Sequence, residues 1–253
     1  MNSNVNNHTY VISQSKVDIY FDDVSFYEIN FIPYITIILD TNTYVYEEES
    51  NNDTSKKYIS FTFDDGPSKY TSDMISALEL NNSSATFFML GNKMKYNKDI
   101  VTLVDNSNSE VASHTYSHKY LTKISKKDIL NEINSVNTIY NEITGKKIKY
   151  VRPPYGSYND TVLQTLQEPL ILWNIDPKDW LVRNSNTIYK HIVNNACDGC
   201  IIVMHDTYKE TLEAVKKVIP KLHEMGYEVV SISKLSEIKN VELQKNKAIR
   251  SIK

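Results

Sequence analysis

The stretch Tyr58-Ile59-Ser60-Phe61-Thr62-Phe63-Asp64-Asp65-Gly66-Pro67 decides how the chain is read. A run of strand formers ends on two adjacent carboxylates and then on Gly-Pro, which stops a strand and turns the backbone. Working outward, the same pattern recurs. Short apolar runs at 85–89, 110–113, 150–152, 170–174, 200–205 and 228–231 alternate with amphipathic helical patterns. That alternation predicts β/α units around a parallel sheet. One helix is expected after Ser125, with Ile129, Ile133, Val136, Ile139, Tyr140 and Ile143 on one face. Ser125 with Asp128 suits its N-terminal cap, and Gly145 its stop. A second spans about 209–225, with Leu212, Val215, Ile219 and Leu222 inward, a kink expected at Pro220 and Gly226 at its end.

The polar residues fall repeatedly at strand ends. Asp64 and Asp65 follow the first run, His114 the third, Arg152 ends the fourth, Asp176 and Asp179 follow the fifth, and His205 ends the sixth. In a barrel of parallel strands these ends meet on one rim, where active sites lie.

Length and composition bound the rest. The 253 residues suffice for one large α/β domain with a small appendage, and 41% hydrophobic with 23% charged residues is a globular composition. A net charge of −3 argues against a general electrostatic grip on nucleic acid. The longest apolar run, 29–39, is interrupted by Asn30 and Pro33 and is too short to span a bilayer. Residues 1–7 are polar and lack the basic start of a secretory signal. The expected organisation is a β-rich segment over 1–48, a polar linker over 49–57, the β/α domain over 58–238 and a polar tail over 239–253. Cys197 and Cys200 form a lone Cys-x-x-Cys, a poor zinc site; a free pair is the first expectation and a local disulfide the second.

Each polar group has two readings. Asp64-Asp65-Gly66-Pro67 is good turn chemistry, but two adjacent anions also ask for a cation. His114 and His118, four apart, are expected on one side of a helical turn. With a carboxylate they make a facial set suited to zinc, cobalt, nickel or iron, leaving positions open for water and substrate. In Arg152-Pro153-Pro154-Tyr155-Gly156, the guanidinium suits bidentate capture of a carboxylate, and the prolines stiffen the chain beside the Tyr155 N–H. Trp180 suits either packing or a wall beside a sugar. His205 is either a satisfied core residue or an acid whose proton is held by an anion such as Asp179.

Taken together, Thr62-Phe63-Asp64-Asp65-Gly66, His114-Thr115-Tyr116-Ser117-His118, Arg152-Pro153-Pro154-Tyr155, Asp176-Pro177-Lys178-Asp179-Trp180 and Val203-Met204-His205 resemble the polysaccharide deacetylases of the NodB-homology group, carbohydrate esterase family 4. The motifs stand in the family's order over roughly 56–237. The one departure is Val203, where the family has leucine. The resemblance implies an α/β fold, a distorted (β/α) barrel with fewer than eight regular units. It also implies one divalent ion, zinc with cobalt or nickel as alternatives, held by Asp65, His114 and His118. Asp64 is then the base, oriented by Arg152, and His205 the acid, tuned by Asp179. Tyr155, Trp180 and Pro154 border the substrate, with the Tyr155 N–H facing the oxyanion. The expected substrate is an acetylated polysaccharide, peptidoglycan first, then chitooligosaccharide or acetylxylan. The expected location is outside a bacterial cell or at its envelope, although no secretory signal is read in this chain. Oligomeric state is left open.

Overall fold

The computed structural model describes residues 56–253, so the β-rich segment expected over 1–48 and most of the linker over 49–57 lie outside the described residues. In chain order the strands are β1 (Lys57–Gly66), β2 (Thr86–Met89), β3 (Glu110–Ser113), β4 (Leu170–Ile171), β5 (Cys200–His205), β6 (Tyr227–Val230) and β7 (Ala248–Ile249). The helices are α1 (Thr71–Glu79), α2 (Gly91–Met94), α3 (Lys98–Asn106), α4 (Lys126–Thr144), α5 (Asp160–Thr165), α6 (Asp179–Val182), α7 (Ser185–Asn195), α8 (Lys209–Glu224) and α9 (Ile232–Ile238). Among the described residues, no helix is long and apolar enough to cross a membrane.

β1 is the centre of the sheet because its ten residues serve three partners. β5 runs parallel to it from Ile59↔Cys200 to Asp64↔His205. The opposite edge is shared by β6, paired at Lys57 to Ser60, and by β2, paired from Thr62 to Gly66. β3 continues the sheet beyond β2. Isolated parallel bridges then close the ring: Ser113 with Val151, Val151 with Leu170, and Ile175 with Ile202 of β5. The result is the expected distorted barrel, irregular on the side where strands shrink to bridges.

Two expected strands are shorter than their apolar runs. The run at 150–152 pairs only at Val151, because Pro153 and Pro154 follow and cannot donate to a ladder. The run at 170–174 keeps only Leu170–Ile171 as β4.

Alternation along β1 separates two environments. Ile59, Phe61 and Phe63 are buried in the layer that also holds Met74, Leu78, Val215 and Ile219 from the helices. Ser60, Thr62 and Asp64, which alternate with them, are buried polar groups on the other face, towards the lumen. α4 follows its sequence reading closely: the Ser125 side chain accepts from the Asp128 N–H, and Gly145 ends the helix at φ 74°. α8 continues through Pro220 as one element.

Residues 239–253, expected as a polar tail, pack on the barrel. β7 pairs in parallel with β4, Cys200 bridges Ser251, and Ile252 is 1% exposed. The average polarity of the segment conceals five apolar residues, Val241, Leu243, Ala248, Ile249 and Ile252, which pack against the core. Cys197 and Cys200 are joined as a local disulfide rather than left as the free pair first expected. Between them Gly199 sits at φ +75°, and a Cβ there would lie 2.0 Å from the Ile252 carbonyl oxygen, so only glycine fits. Replacing Ile252 by alanine is expected to cost about 2–5 kcal/mol of stability in denaturant unfolding. A loss near zero would show that the segment does not belong to the core.

Candidate active site

Because the strands are parallel, the residues that leave their C-terminal ends meet on one rim. Arg152, just past the Val151 bridge, is fully buried and enters the lumen. One of its terminal nitrogens donates to Asp64 Oδ1 at 2.7 Å and to Thr62 Oγ1 at 2.7 Å. Its Nε donates to the Ile171 carbonyl and its second terminal nitrogen to the Leu172 carbonyl. The bidentate grip on one carboxylate expected from sequence is therefore replaced by a fork split among four acceptors. Burial alone pushes the Asp64 carboxyl up, but Arg152 first, then His114 and His205, outweigh it and hold the pKa below the usual carboxylate value. Asp64 stays ionised.

Asp65 turns the other way. Its backbone lies at φ 69°, and its carbonyl accepts a hydrogen bond from Lys93 Nζ at 2.7 Å. Gly66 follows where a Cβ would meet the Asp206 carboxylate at 2.6 Å. Asp65 Oδ1 stands 3.6 Å from His114 Nε2 and 3.4 Å from His118 Nε2. One donor atom from each of these three residues lies within 4.8 Å of the others. Asp65 Oδ1 is itself buried without a hydrogen-bond partner. A buried oxygen facing two imidazole nitrogens and bonded to neither is the arrangement that a cation satisfies. One carboxylate oxygen and two imidazoles suit a borderline divalent metal.

His114 is prepared for such a role. Its Nδ1 lies 2.9 Å from the Arg152 carbonyl oxygen, which can only accept, so Nδ1 donates there and Nε2 is the ring nitrogen left to face Asp65. His118 is held neutral: burial depresses its pKa, the His114 ring adds to this, and Asp65 and Asp64 oppose it less strongly. The two histidines do not lie on a helical turn as expected. Residues 114–118 form an irregular loop after β3, with Thr115 at φ 70° and His118 at φ 60°. Left-handed backbone is disfavoured for residues with a side chain, so other contacts must hold the loop. The Thr115 hydroxyl accepts from the His118 N–H at 3.0 Å, and Glu132 of α4 accepts from the Ser117 N–H and hydroxyl at 2.8 and 2.6 Å.

On the other side of Asp64, His205 Nδ1 lies 2.8 Å from Asp179 Oδ1. Asp179 is fully buried and also accepts from the His205 N–H, the Thr211 hydroxyl and the Trp180 N–H. Burial disfavours the imidazolium, but the hydrogen bond and charge of Asp179, with Asp64 and Asp65 beyond, raise the His205 pKa to about 9. The site thus holds an ionised carboxylate and a protonated imidazole at neutral pH, the pairing needed for base and acid steps.

Tyr155 is at φ 61°, and its ring meets the edge of His118 at 4.7 Å between centroids. Among the described residues its N–H meets no acceptor. Tyr155 is 57% exposed and Trp180 49%, whereas Pro154 is buried. Asp176, by contrast, only caps its own turn by accepting from the Lys178 N–H. Sequence reading missed Thr62, Lys93, Glu132 and Thr211. Of these, Glu132 carried a clue, a charge inside the apolar stripe of α4; Thr211 carried none.

The sequence model of the family described as Polysaccharide deacetylase matches residues 51–169. Peptidoglycan-N-acetylmuramic acid deacetylase PdaC of Bacillus subtilis is 37% identical over 193 residues, covering 76% of this chain and 41% of that protein. Its solved structure matches with a TM-score of 0.72, covering 74% of this chain and 94% of that one. A peptidoglycan-N-acetylglucosamine deacetylase of Bacillus cereus is 33% identical over 211 residues, 80% of this chain and 97% of that protein. A family 4 acetyl xylan esterase from Clostridium thermocellum, solved with a cobalt ion, matches with a TM-score of 0.73 at 26% identity over 78% of this chain and 99% of that one. The chain spans only 41% and 39% of two of the curated relatives it matches, PdaC and the PgdA deacetylase of Listeria monocytogenes. The chain belongs to the polysaccharide deacetylases of the NodB-homology group, carbohydrate esterase family 4.

Proposed function

We propose that this chain is a metal-dependent hydrolase that removes N-acetyl groups from a polymer containing N-acetylglucosamine, with peptidoglycan as the substrate. The observation that carries the reading is the unpartnered Asp65 Oδ1 facing His114 Nε2 and His118 Nε2, beside an ionised Asp64 that Arg152 holds apart. Asp65, His114 and His118 would hold one divalent ion, zinc in the first instance, with cobalt or nickel as substitutes. When bound, such an ion supplies Lewis acidity, acidifying water and polarising an acyl oxygen.

The chain's own groups do the rest. Asp64 takes the proton of the attacking water, and Arg152 keeps it ionised for that step. The Tyr155 N–H, fixed by its left-handed backbone, donates to the carbonyl oxygen as charge develops. His205, protonated through Asp179, gives its proton to the departing amine, leaving acetate and a free amino sugar. Trp180 and Tyr155, exposed aromatics, and the buried Pro154 would border the acetyl group and sugar.

Two considerations support the polymer and the location. Peptidoglycan deacetylases are among the relatives, one named for N-acetylmuramic acid and others for N-acetylglucosamine. A disulfide between Cys197 and Cys200 persists in an oxidising compartment, which supports a place outside the cell or at its envelope. The esterase relative supports a second reading, hydrolysis of O-acetyl groups on xylan. Amine release from peptidoglycan separates the two, since an esterase frees acetate without new amines. The proposal expects new amines on glucosamine residues. Acetate alone from acetylxylan would favour the second reading, and amines confined to muramic acid would change the sugar.

Asp64→Asn is expected to lower kcat about 10²–10⁴-fold with metal binding retained; a variant keeping most activity would remove Asp64 as base. Asp179→Asn withdraws the charge that raises the His205 pKa. Activity that falls as pH rises through the His205 pKa should then fall at lower pH in the variant. A pH–rate profile with an unmoved alkaline limb would exclude His205 as the acid that Asp179 tunes.

A further inference from the structure

We propose that Glu132 of α4 is a positioning residue for the histidine loop, its carboxylate fixing His118 at the distance from Asp65 and His114 that a divalent cation requires. The proposal rests on the metal-centre reading of those three residues.

Glu132 lies where a helix of this kind should carry an apolar side chain. Ile129, Ile133 and Val136, at helical spacing around it, are all buried in the core. Glu132 itself is only 6% exposed. An unpaired carboxylate there would be strongly destabilising, so its two oxygens must be occupied. Oε2 accepts from the Ser117 N–H at 2.8 Å, Oε1 from the Ser117 hydroxyl at 2.6 Å, and the Lys119 ammonium stands 3.3 Å from Oε1. Burial raises the Glu132 pKa, but the two bonds from Ser117 and then Lys119 outweigh it, and the group stays ionised. A helix carboxylate thus grips the residue immediately before His118 through both of its available donors.

The loop needs that grip more at one end than at the other. His114 is anchored on the barrel, its N–H donating to the Met89 carbonyl and its Nδ1 facing the Arg152 carbonyl. Thr115 and Tyr116 are tied by their carbonyls to the N–H groups of Gly91 and Asn92. His118 has left-handed backbone, a conformation costing on the order of 1–3 kcal/mol, and its own N–H bonds only back into the loop, to Thr115. Release of Ser117 would therefore loosen His118, leaving it the Thr115 bond and the contacts of its ring with Tyr155 and His114, while His114 and Asp65 stay in place. The expected result is a site with two well-placed ligands and one loose one, in a protein that still folds.

The test is Co²⁺ affinity, measured on cation-free protein by competition with a chelator, beside the unfolding midpoint of the same cation-free protein. Glu132→Met keeps the length of the side chain in an apolar stripe but offers Ser117 no carboxylate oxygen, so both bonds are lost. It is expected to weaken Co²⁺ binding about 10–100-fold, the usual effect of losing a partner that orients a ligand, and to alter the visible spectrum of the bound Co²⁺. Ser117→Ala removes the hydroxyl contact alone, is expected to weaken binding by less, and answers the question if Glu132→Met does not fold. Variants with wild-type Co²⁺ affinity and spectrum would overturn the role of Glu132, even if less stable. A wild-type protein that takes up no Co²⁺ would overturn the metal-centre reading on which that role rests.

Discussion

The buried pair of Arg152 and Asp64 is the interaction on which the other features depend. A guanidinium with no exposure lies in the barrel lumen, its Cζ 4.0 Å from the centroid of the Phe88 ring and 5.4 Å from that of Trp173. Removing a charge of this kind from water costs several kcal/mol unless it is paired and hydrogen-bonded. Here the carboxylate of Asp64, the hydroxyl of Thr62 and the carbonyls of Ile171 and Leu172 take four of its five N–H groups. Two of those acceptors exist because β4 stops after Ile171 and leaves carbonyls facing inward. One side chain therefore satisfies the backbone of the broken strand and holds the Asp64 carboxylate ionised. Closure of the barrel and the chemistry proposed at its rim share one set of hydrogen bonds.

The rim is costly in conformational terms. Asp65, Thr115, His118 and Tyr155 all have left-handed backbone without being glycine. Such residues persist only where their surroundings overdetermine them, and they concentrate at functional sites. The surroundings here come from several elements: Lys93 on the Asp65 carbonyl, Glu132 on Ser117, and the Tyr120 ring stacked on Tyr155 at 3.9 Å. Each support belongs to a helix or loop other than the one that carries the strained residue. Precision at the rim is therefore a property of the packed domain, and short segments of the sequence do not contain it.

This explains what was legible in the chain and what was not. Strand ends were readable because an apolar run that finishes on Asp, His or Arg leaves those groups at one end of a parallel sheet; Asp64, Asp65, His114, Arg152 and His205 all stand where that logic puts them. α4 was readable because Ser125, its apolar stripe and Gly145 agree with one another. The helical turn expected for His114 and His118 was not found, because spacing of four describes a helix only where the intervening residues keep helical backbone, and Thr115 does not. The C-terminal segment was misread because its average polarity hid Ile249 and Ile252. Cys197 and Cys200 were ambiguous because Cys-x-x-Cys alone does not determine whether its sulfurs pair. Thr211 and Lys93 were invisible, since each acts through a tertiary contact with a residue far away in sequence.

In the proposed site one aspartate and two imidazoles close on an ion while the neighbouring aspartate remains with its arginine. A crystal structure of the zinc-loaded protein, with the ion located by anomalous scattering, tests it most directly. Zinc is expected on Asp65 Oδ1, His114 Nε2 and His118 Nε2, with Asp64 still hydrogen-bonded to Arg152 and outside the coordination sphere. Zinc bound elsewhere, or Asp64 drawn away from Arg152 to become a ligand, would contradict it.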